Sequence, residues 1–436
     1  MILPDEYLSR RRQLMRIAGP GAVVLIRAAE ICYRSADSEY PYRQDSDLHY
    51  LTGFPEPESL LVLVPGREQG EHILFCREKA PEQELWHGER VGMDGACQNY
   101  GMDDAFPIDD IDDILPGLLE GRERVFYSLG KDRDFDQSLV EWIRHLRQQT
   151  SRSGGQVPEE FISLDHVVHE MRLIKTRSEV RNLRKAAKLA IEGHNALMAA
   201  CKPGISEHML RAHFLQPLLE NHVEPSYPPI VASGVNACTL HYTSCRKTVA
   251  DGDLVLVDAG AEFDCYASDI TRTFPANGKF TAAQRDLYEV VLAAHEAAIE
   301  KVAIGVSWDD PHQAAARVIC DGLQQLGIVK NGSNNCLENG DYKQFFMHRV
   351  GHWLGMDVHD VGDYRIEGQW RVLEAGMVMT IEPGIYIPND AQNVPSHFRG
   401  MGIRIEDDVA LRKNGVEILS DDLPRDIESL EAMVGM

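Results

Sequence analysis

Five residues in the C-terminal half of this chain could together hold metal: Asp258, Asp269, His352, Glu382 and Glu406. They stand in the short contexts LVDAG, SDITRTF, HRVGHWLG, TIEPG and IRIEDD. Four carboxylates and one imidazole form an oxygen-rich donor set for divalent cations. Four negative charges are balanced by two M²⁺ ions. A cluster too costly to bury by itself therefore becomes neutral when two cations are bound.

The elements that carry these residues are mostly apolar runs. LVLVDAG at 254–260 reads as a strand buried on both faces, closed by Asp258, with Gly260 letting the chain turn away. ASDITRTF reads as a second strand that pairs with it and brings Asp269 beside Asp258. MVMTIEPG at 377–384 is a third strand with Glu382 at its end. GIRIEDDVAL at 402–411 alternates: Ile403 and Ile405 point one way, Arg404, Glu406 and Asp408 the other. Taken alone, that segment is a half-exposed strand with a polar outer face. His348 and His352 lie four apart, but the glutamate of a zinc-binding HExxH helix is missing. Gly351 and Gly355 point to a loop or a helix start. His359 in VHDVG and His241 in LHYT are each explained singly as structural histidines. Aspartate and glutamate make up 68 of 436 residues, so one acid says nothing. Acids closing three apolar runs, joined by Asp269 and His352, say more.

Composition narrows the class. A net charge of -24 argues against nucleic acid as a partner, because phosphate recognition needs clustered Lys and Arg. No apolar run has transmembrane length, and MILPDEYLSRRRQLM has no stretch of signal-peptide length. Nine scattered cysteines without a CxxC pair read as reduced thiols. The expectation is a cytoplasmic protein with no membrane association.

A chain of 436 residues exceeds one ordinary core, and two domains are expected. The first third alternates strands (AVVLI at 22–26, LLVLV at 60–64, RVFYSL at 124–129) with helical stretches. HILFC at 72–76 reads as the hairpin partner of 60–64. SRSGGQVP at 151–158 has the most linker-like composition, and FISLDHVVHEMRLIK leads from it into a new unit. That unit opens on the capping-box pattern of Thr176 and Glu179, followed by apolar residues at helical spacing up to Pro203-Gly204. No internal repeat is apparent. The predicted fold class is α/β (α+β), with domains at 1–172 and 173–436.

LVLVDAG, SDITRTFP, HWLGMDVHDVG, EPGIY and GIRIEDD resemble, in order and spacing, the metallopeptidases of the pita-bread fold. SADSEYPYRQDSDLHYLTGFPEP, ELWHGERVG and FISLDHVVHEMRLIK are similar to the N-terminal part of bacterial aminopeptidase P. The resemblance spans essentially the whole chain. It implies an N-terminal mixed α/β domain serving oligomerisation and substrate access, and a C-terminal dinuclear catalytic domain. Asp258 would bind one metal, Asp269 and Glu406 would bridge both, and His352 and Glu382 would complete the other site. The metal implied is Mn²⁺. His241 and His359 match the family's active-site histidines that are not ligands, and His348 and Arg404 match residues supporting them. Trp86 and Asp37 match residues that reach a neighbouring subunit's active site in a homotetramer or homodimer.

The activity implied is removal of an N-terminal residue that precedes proline, by attack of a metal-bridging hydroxide. Glu382 would shuttle the proton, and His359 or His241 would stabilise the oxyanion. The Xaa-Pro bond is a tertiary amide with no N–H to clamp, so a pocket shaped for the pyrrolidine ring is expected. A prolidase acting on Xaa-Pro dipeptides shares that requirement and is the alternative. Creatinase-like relatives without metal lose the ligands, and all five are present here.

Overall fold

The structure, a computed structural model, describes residues 2–151, 154–330 and 332–435. It divides into two compact units, Met1–Met171 and Arg172–Met436. The division falls one residue before the boundary drawn from the sequence.

The first unit is built on a six-stranded mixed sheet. Its strands are β1 (Ala22–Arg27), β2 (Leu60–Leu63), β3 (His72–Cys76), β4 (Asp104–Pro107), β5 (Arg124–Phe126) and β6 (Glu160–Ile162). Their spatial order is β4-β3-β2-β1-β5-β6. As expected, β2 and β3 form an antiparallel pair, with Leu60 opposite Phe75. The parallel neighbours β1, β5 and β6 need crossovers, which the intervening helices supply. Helices α1 (Ile111–Leu119) and α2 (Arg133–Thr150) place Leu115, Leu119, Leu139, Trp142 and Leu146 in the core cluster shared with the strands. One sequence expectation fails here. The polar run 151–158 is not a linker between units. It falls within the first one, because β6 follows it and pairs with β5. Arg152 and Ser153 of that run lie outside the described residues.

The second unit consists of two similarly built halves, a likeness the sequence does not display. Each opens on a capping-box helix followed by a second helix packed on it: α3 (Arg177–Ala200) with α4 (Glu207–Glu220), then α5 (Ala282–Lys301) with α6 (Asp309–Gln325). Each helix pair is followed by antiparallel strands. The first half holds β7 (Ile230–Ser233), β8 (Leu254–Asp258) and β9 (Thr271–Pro275), in the order β7-β8-β9. The second holds β10 (Val378–Ile381), β11 (Gly384–Ile387), β12 (Met401–Arg404), β13 (Asp407–Arg412) and β14 (Gly415–Ile418). These strands pair as β10-β13-β14 and β11-β12. GIRIEDDVAL therefore forms two strands, with Ile405 and Glu406 at the break. Residues 402–411 are buried throughout, so the expected polar outer face is wrong. Its polar side chains are satisfied by protein partners instead of water.

The halves are joined by a buried ionic network. Arg272 of β9 is fully buried and donates to the Asp407 carboxylate at 2.7 Å, and to the carbonyls of Glu406 (2.6 Å), Leu423 (2.7 Å) and Pro424 (2.9 Å). Asp407 also accepts from Ser420 Oγ at 2.6 Å and pairs with His295 at 3.1 Å. Removing Arg272 leaves the buried Asp407 with only Arg425, at 3.1 Å, and His295 as charged partners, so Arg272→Met is expected to cost about 3 kcal/mol in urea unfolding. A second test concerns His194 of α3, fully buried with Nε2 3.0 Å from the Ala259 carbonyl. Burial lowers its pKa from 6.5 to about 4. The unfolded chain then binds the proton more readily. His194 contributes its full stability above about pH 6.5 and loses it as pH falls toward 4. The urea midpoint is expected to fall more steeply over that range in the wild type than in His194→Gln. Equal slopes would contradict this role.

Candidate metal centre

The strand register brings distant residues together. Asp258 ends β8 opposite Thr271, and Thr271 forms an isolated bridge with Glu406, whose N–H donates to the Thr271 carbonyl at 3.1 Å. Asp258, Asp269 and Glu406 thus meet where the two halves join. The expected pairing of the strands holds, although Asp269 lies two residues before β9 begins. Of the loop or helix start expected around His352, the structure has a loop, with one isolated bridge from Trp353 to Met379. The loop runs extended along β10, with Glu382 N–H donating to the Val350 carbonyl (2.7 Å), Thr380 to His352 (2.9 Å) and Leu354 to Val378 (3.0 Å). Gly351 permits this approach, since a Cβ there would lie 2.0 Å from the Thr380 carbonyl oxygen.

Asp258, Asp269, His352, Glu382 and Glu406 line a single cavity of about 810 Å³, together with His241, His348, His359 and Arg404. Ligand-capable atoms of Asp269, His352 and Glu406 all lie within 4.8 Å of one another. His352 Nε2 is 3.3 Å from Asp269 and 3.5 Å from Glu382. Its Nδ1 is 3.0 Å from the Trp353 carbonyl, which fixes the ring with Nε2 facing the acids. His359 meets His352 edge-on at 4.4 Å. His348 lies 2.9 Å from the Tyr386 hydroxyl and edge-on to Phe346. Arg404 pairs closely with Asp258 and donates to Tyr386 at 2.8 Å.

Electrostatics shows what this donor set lacks. Burial pushes Glu382 up to about 7, although the His352 charge opposes the rise. Burial and the neighbouring acids push Glu406 far above the carboxylate range, and burial raises Asp258 against the pull of Arg404. Only Asp269 is held low: burial opposes its charge, and His352 and Tyr227 outweigh burial. Burial alone would lower His352, but Asp269 and Glu382 carry it to about 9. Burial lowers His359, and it lowers His348 to about 3, so both remain neutral near pH 7. The acids outnumber the cationic side chains that face them. Divalent cations fit such a set.

Sequence reasoning missed three supporting residues. The Tyr227 hydroxyl lies 2.5 Å from both Asp258 and Asp269. Thr271 Oγ1 donates to Glu406 at 2.6 Å. Asp408 accepts from the Asp269 N–H at 3.2 Å. Thr271 within SDITRTF and Asp408, on the face of GIRIEDDVAL shared with Glu406, offered a signal, and Tyr227 offered none. Asp37 and Trp86 belong to the first unit, where both are exposed, Trp86 at 81%. That unit has its own group of Asp47, Asp165 and His169, but Lys131 already pairs with Asp47 at 3.7 Å and with Asp45 at 2.6 Å.

Residues 181–413 match metallopeptidase family M24, and residues 7–127 match the aminopeptidase P N-terminal domain. The chain belongs to metallopeptidase family M24 and is an α/β protein whose second unit has the pita-bread fold. It is 42% identical to the Xaa-Pro aminopeptidase of Escherichia coli over 99% of this chain and 97% of that one. It is 36% identical to human Xaa-Pro aminopeptidase 3, over 98% of this chain and 85% of that protein. Aminopeptidase PepP of Pseudomonas aeruginosa superposes with a TM-score of 0.98 at 50% identity, covering 99% of this chain and 98% of that one. A zinc-substituted E. coli aminopeptidase P in complex with product superposes at 0.96 and 41% identity, with 99% and 98% covered.

The shared Tyr227 donor generates a prediction. Tyr227→Phe is expected to destabilise the chelator-treated protein by about 1–3 kcal/mol, because two buried acids lose a hydrogen bond. The loss should shrink when excess divalent cation is added. A loss independent of cation would place Tyr227 in the packing alone.

Proposed function

We propose that this protein removes the N-terminal residue from peptides with proline in second position, using two divalent cations held by Asp258, Asp269, His352, Glu382 and Glu406. The observation that carries this reading is the convergence of five donors at one cavity, where burial raises Asp258, Glu382 and Glu406. Mn²⁺ is the metal the oxygen-dominated set suits best. When bound, the cation pair supplies a nucleophile at neutral pH and polarises the scissile carbonyl.

The side chains around the donors then have distinct tasks. Glu382, which reaches into the cavity beside His352, delivers a proton to the leaving prolyl nitrogen. His359 and His241 stand in the same cavity and donate hydrogen bonds to substrate carbonyl oxygens, where negative charge develops. His348, buttressed by Phe346 and Tyr386, walls the site for the pyrrolidine ring. Arg404 holds Asp258 and, through Tyr386, the His348 ring.

The first unit serves assembly in this reading. Leu85 and Trp86 are neighbours on one short helix and each is 81% exposed, an apolar pair suited to cover by another subunit. Trp86 and Asp37 then complete a neighbour's site in a homotetramer or homodimer. Nine free cysteines support a reducing, cytoplasmic setting. Among the described residues no helix is long and apolar enough to cross a membrane.

The primary test uses chelator-stripped protein, a Xaa-Pro-Xaa tripeptide and a Xaa-Pro dipeptide, with and without Mn²⁺. Mn²⁺-restored cleavage of the tripeptide with little on the dipeptide is expected, whereas dipeptide-only cleavage would make it a prolidase. Because cation binding must displace the protons on the raised acids, Mn²⁺ affinity should rise with pH through about 7. A flat profile would contradict the ligand assignment. Trp86→Ala is expected to lower kcat/KM without changing bound Mn²⁺, and unchanged kinetics would remove its role across subunits.

A further inference from the structure

His241 lines the catalytic cavity, yet it is exposed and belongs to a stretch, 241–247, with neither helix nor strand. A side chain on such a loop needs a scaffold to fix it. The loop leaves β7 at Ser233 and returns to a bridge between Ser206 and Thr248, with the Val249 N–H donating to the Ile205 carbonyl at 2.8 Å. Both of its ends meet one carboxylate. Glu207, in the first turn of α4, is fully buried. Its Oε1 accepts from the Ser233 N–H (2.8 Å), Ser233 Oγ (2.8 Å) and Asn236 Nδ2 (2.9 Å). Its Oε2 accepts from the Tyr242 hydroxyl (2.8 Å) and the Lys247 N–H (2.9 Å). Burial opposes its charge, but the hydrogen bonds from Asn236, Ser233 and Lys247 outweigh burial and hold the carboxyl below its ordinary range. Capping the helix does not require this arrangement, because Ser206 Oγ already accepts from the Met209 N–H at 3.2 Å.

We propose that Glu207 is a positioning residue for the reaction: by clasping the loop at Ser233, Asn236, Tyr242 and Lys247, its carboxylate sets where His241 stands in the cavity. The inference rests on the role given to His241 in the Xaa-Pro reading above. Tyr242 follows His241 directly, so the bond from its hydroxyl to Glu207 fixes the chain one residue from the imidazole. Leu240 precedes His241, and it packs with Tyr242 against the cluster that includes Leu256 and Tyr386. The backbone on either side of the histidine is thus tied down while the imidazole itself lines the cavity. A donor stabilises developing charge only where it is held in place beforehand, and a displacement of about 1 Å costs up to about a hundredfold in rate. A neutral glutamine at 207 would set an NH₂ group against the donors of one of the two oxygens and loosen that end of the loop.

The test measures kcat and KM on a Xaa-Pro-Xaa tripeptide for Mn²⁺-loaded wild type, Glu207→Gln, Tyr242→Phe and His241→Ala, and for each of the first two substitutions combined with His241→Ala. High enzyme concentration keeps the slower variants measurable. Glu207→Gln is expected to lower kcat by about 10- to 100-fold. Tyr242→Phe, which deletes one hydrogen bond and keeps the ring, should lower it by about fivefold. KM and bound Mn²⁺ should change little in either. In the His241→Ala background neither substitution should lower kcat further, because the group they position is gone. A protein that merely lost stability would show the same loss in both backgrounds. Where Glu207→Gln does not fold, Tyr242→Phe decides. A wild-type kcat in Tyr242→Phe, or losses that multiply with that of His241→Ala, would overturn the inference and leave the Xaa-Pro reading standing. A wild-type kcat in His241→Ala would overturn the inference together with the histidine's role, and no cleavage by the loaded wild type would overturn the Xaa-Pro reading as well.

Discussion

Repulsion among buried carboxylates is the constraint on which this structure turns. Asp258, Asp269, Glu382 and Glu406 face one another at a single cavity with too few cationic side chains to balance them. A protein gains nothing from such a cluster unless something else brings positive charge. Burial drives Glu382 and Glu406 toward the protonated state, and divalent cations reverse that shift by favouring the ionised ligand. Membership of a metallopeptidase family is the sequence-level counterpart of the same physics.

The fold can be understood as the means of holding the acids in place. Each half of the second unit contributes strand ends that carry candidate ligands, and the Thr271–Glu406 bridge sets the two sets of strands in register. Arg272 and Asp407 lie immediately beside this bridge and satisfy one another in a water-excluded layer. Such a pair adds little net stability over well-packed apolar residues, but it tolerates few alternative arrangements. His352 and Glu382 are aligned differently, through backbone hydrogen bonds between an irregular extended segment and β10. The candidate ligands are thus held by ladder geometry more than by the packing of their own side chains.

Much of the candidate site was legible in the sequence because it sits at the ends of buried strands, where an acid contrasts with an apolar run. LVLVD and VMTIE carry that contrast, and both residues lie where the contrast suggested. The contrast misled at GIRIEDD, where strict alternation suggested a wet outer face. Both faces are covered, because Arg404 and Asp408 are hydrogen-bonded within the protein. Tyr227 was invisible for another reason. It lies in a loop, and its pairing with Asp258 and Asp269 depends on tertiary placement that no local pattern encodes. The polar run at 151–158 looked like a linker because composition reports solvent exposure and does not report whether the next strand returns to the same sheet.

The central claim is that these acids are folded around two cations, and metal stoichiometry tests it most directly. Protein purified with Mn²⁺ in excess, freed of unbound ion and analysed by elemental mass spectrometry should carry two metal ions per chain. Asp269→Ala, placed between the remaining donors, should carry fewer while retaining the wild-type circular dichroism. Wild type with no bound metal, or an Asp269→Ala variant that binds the full two, would contradict the account.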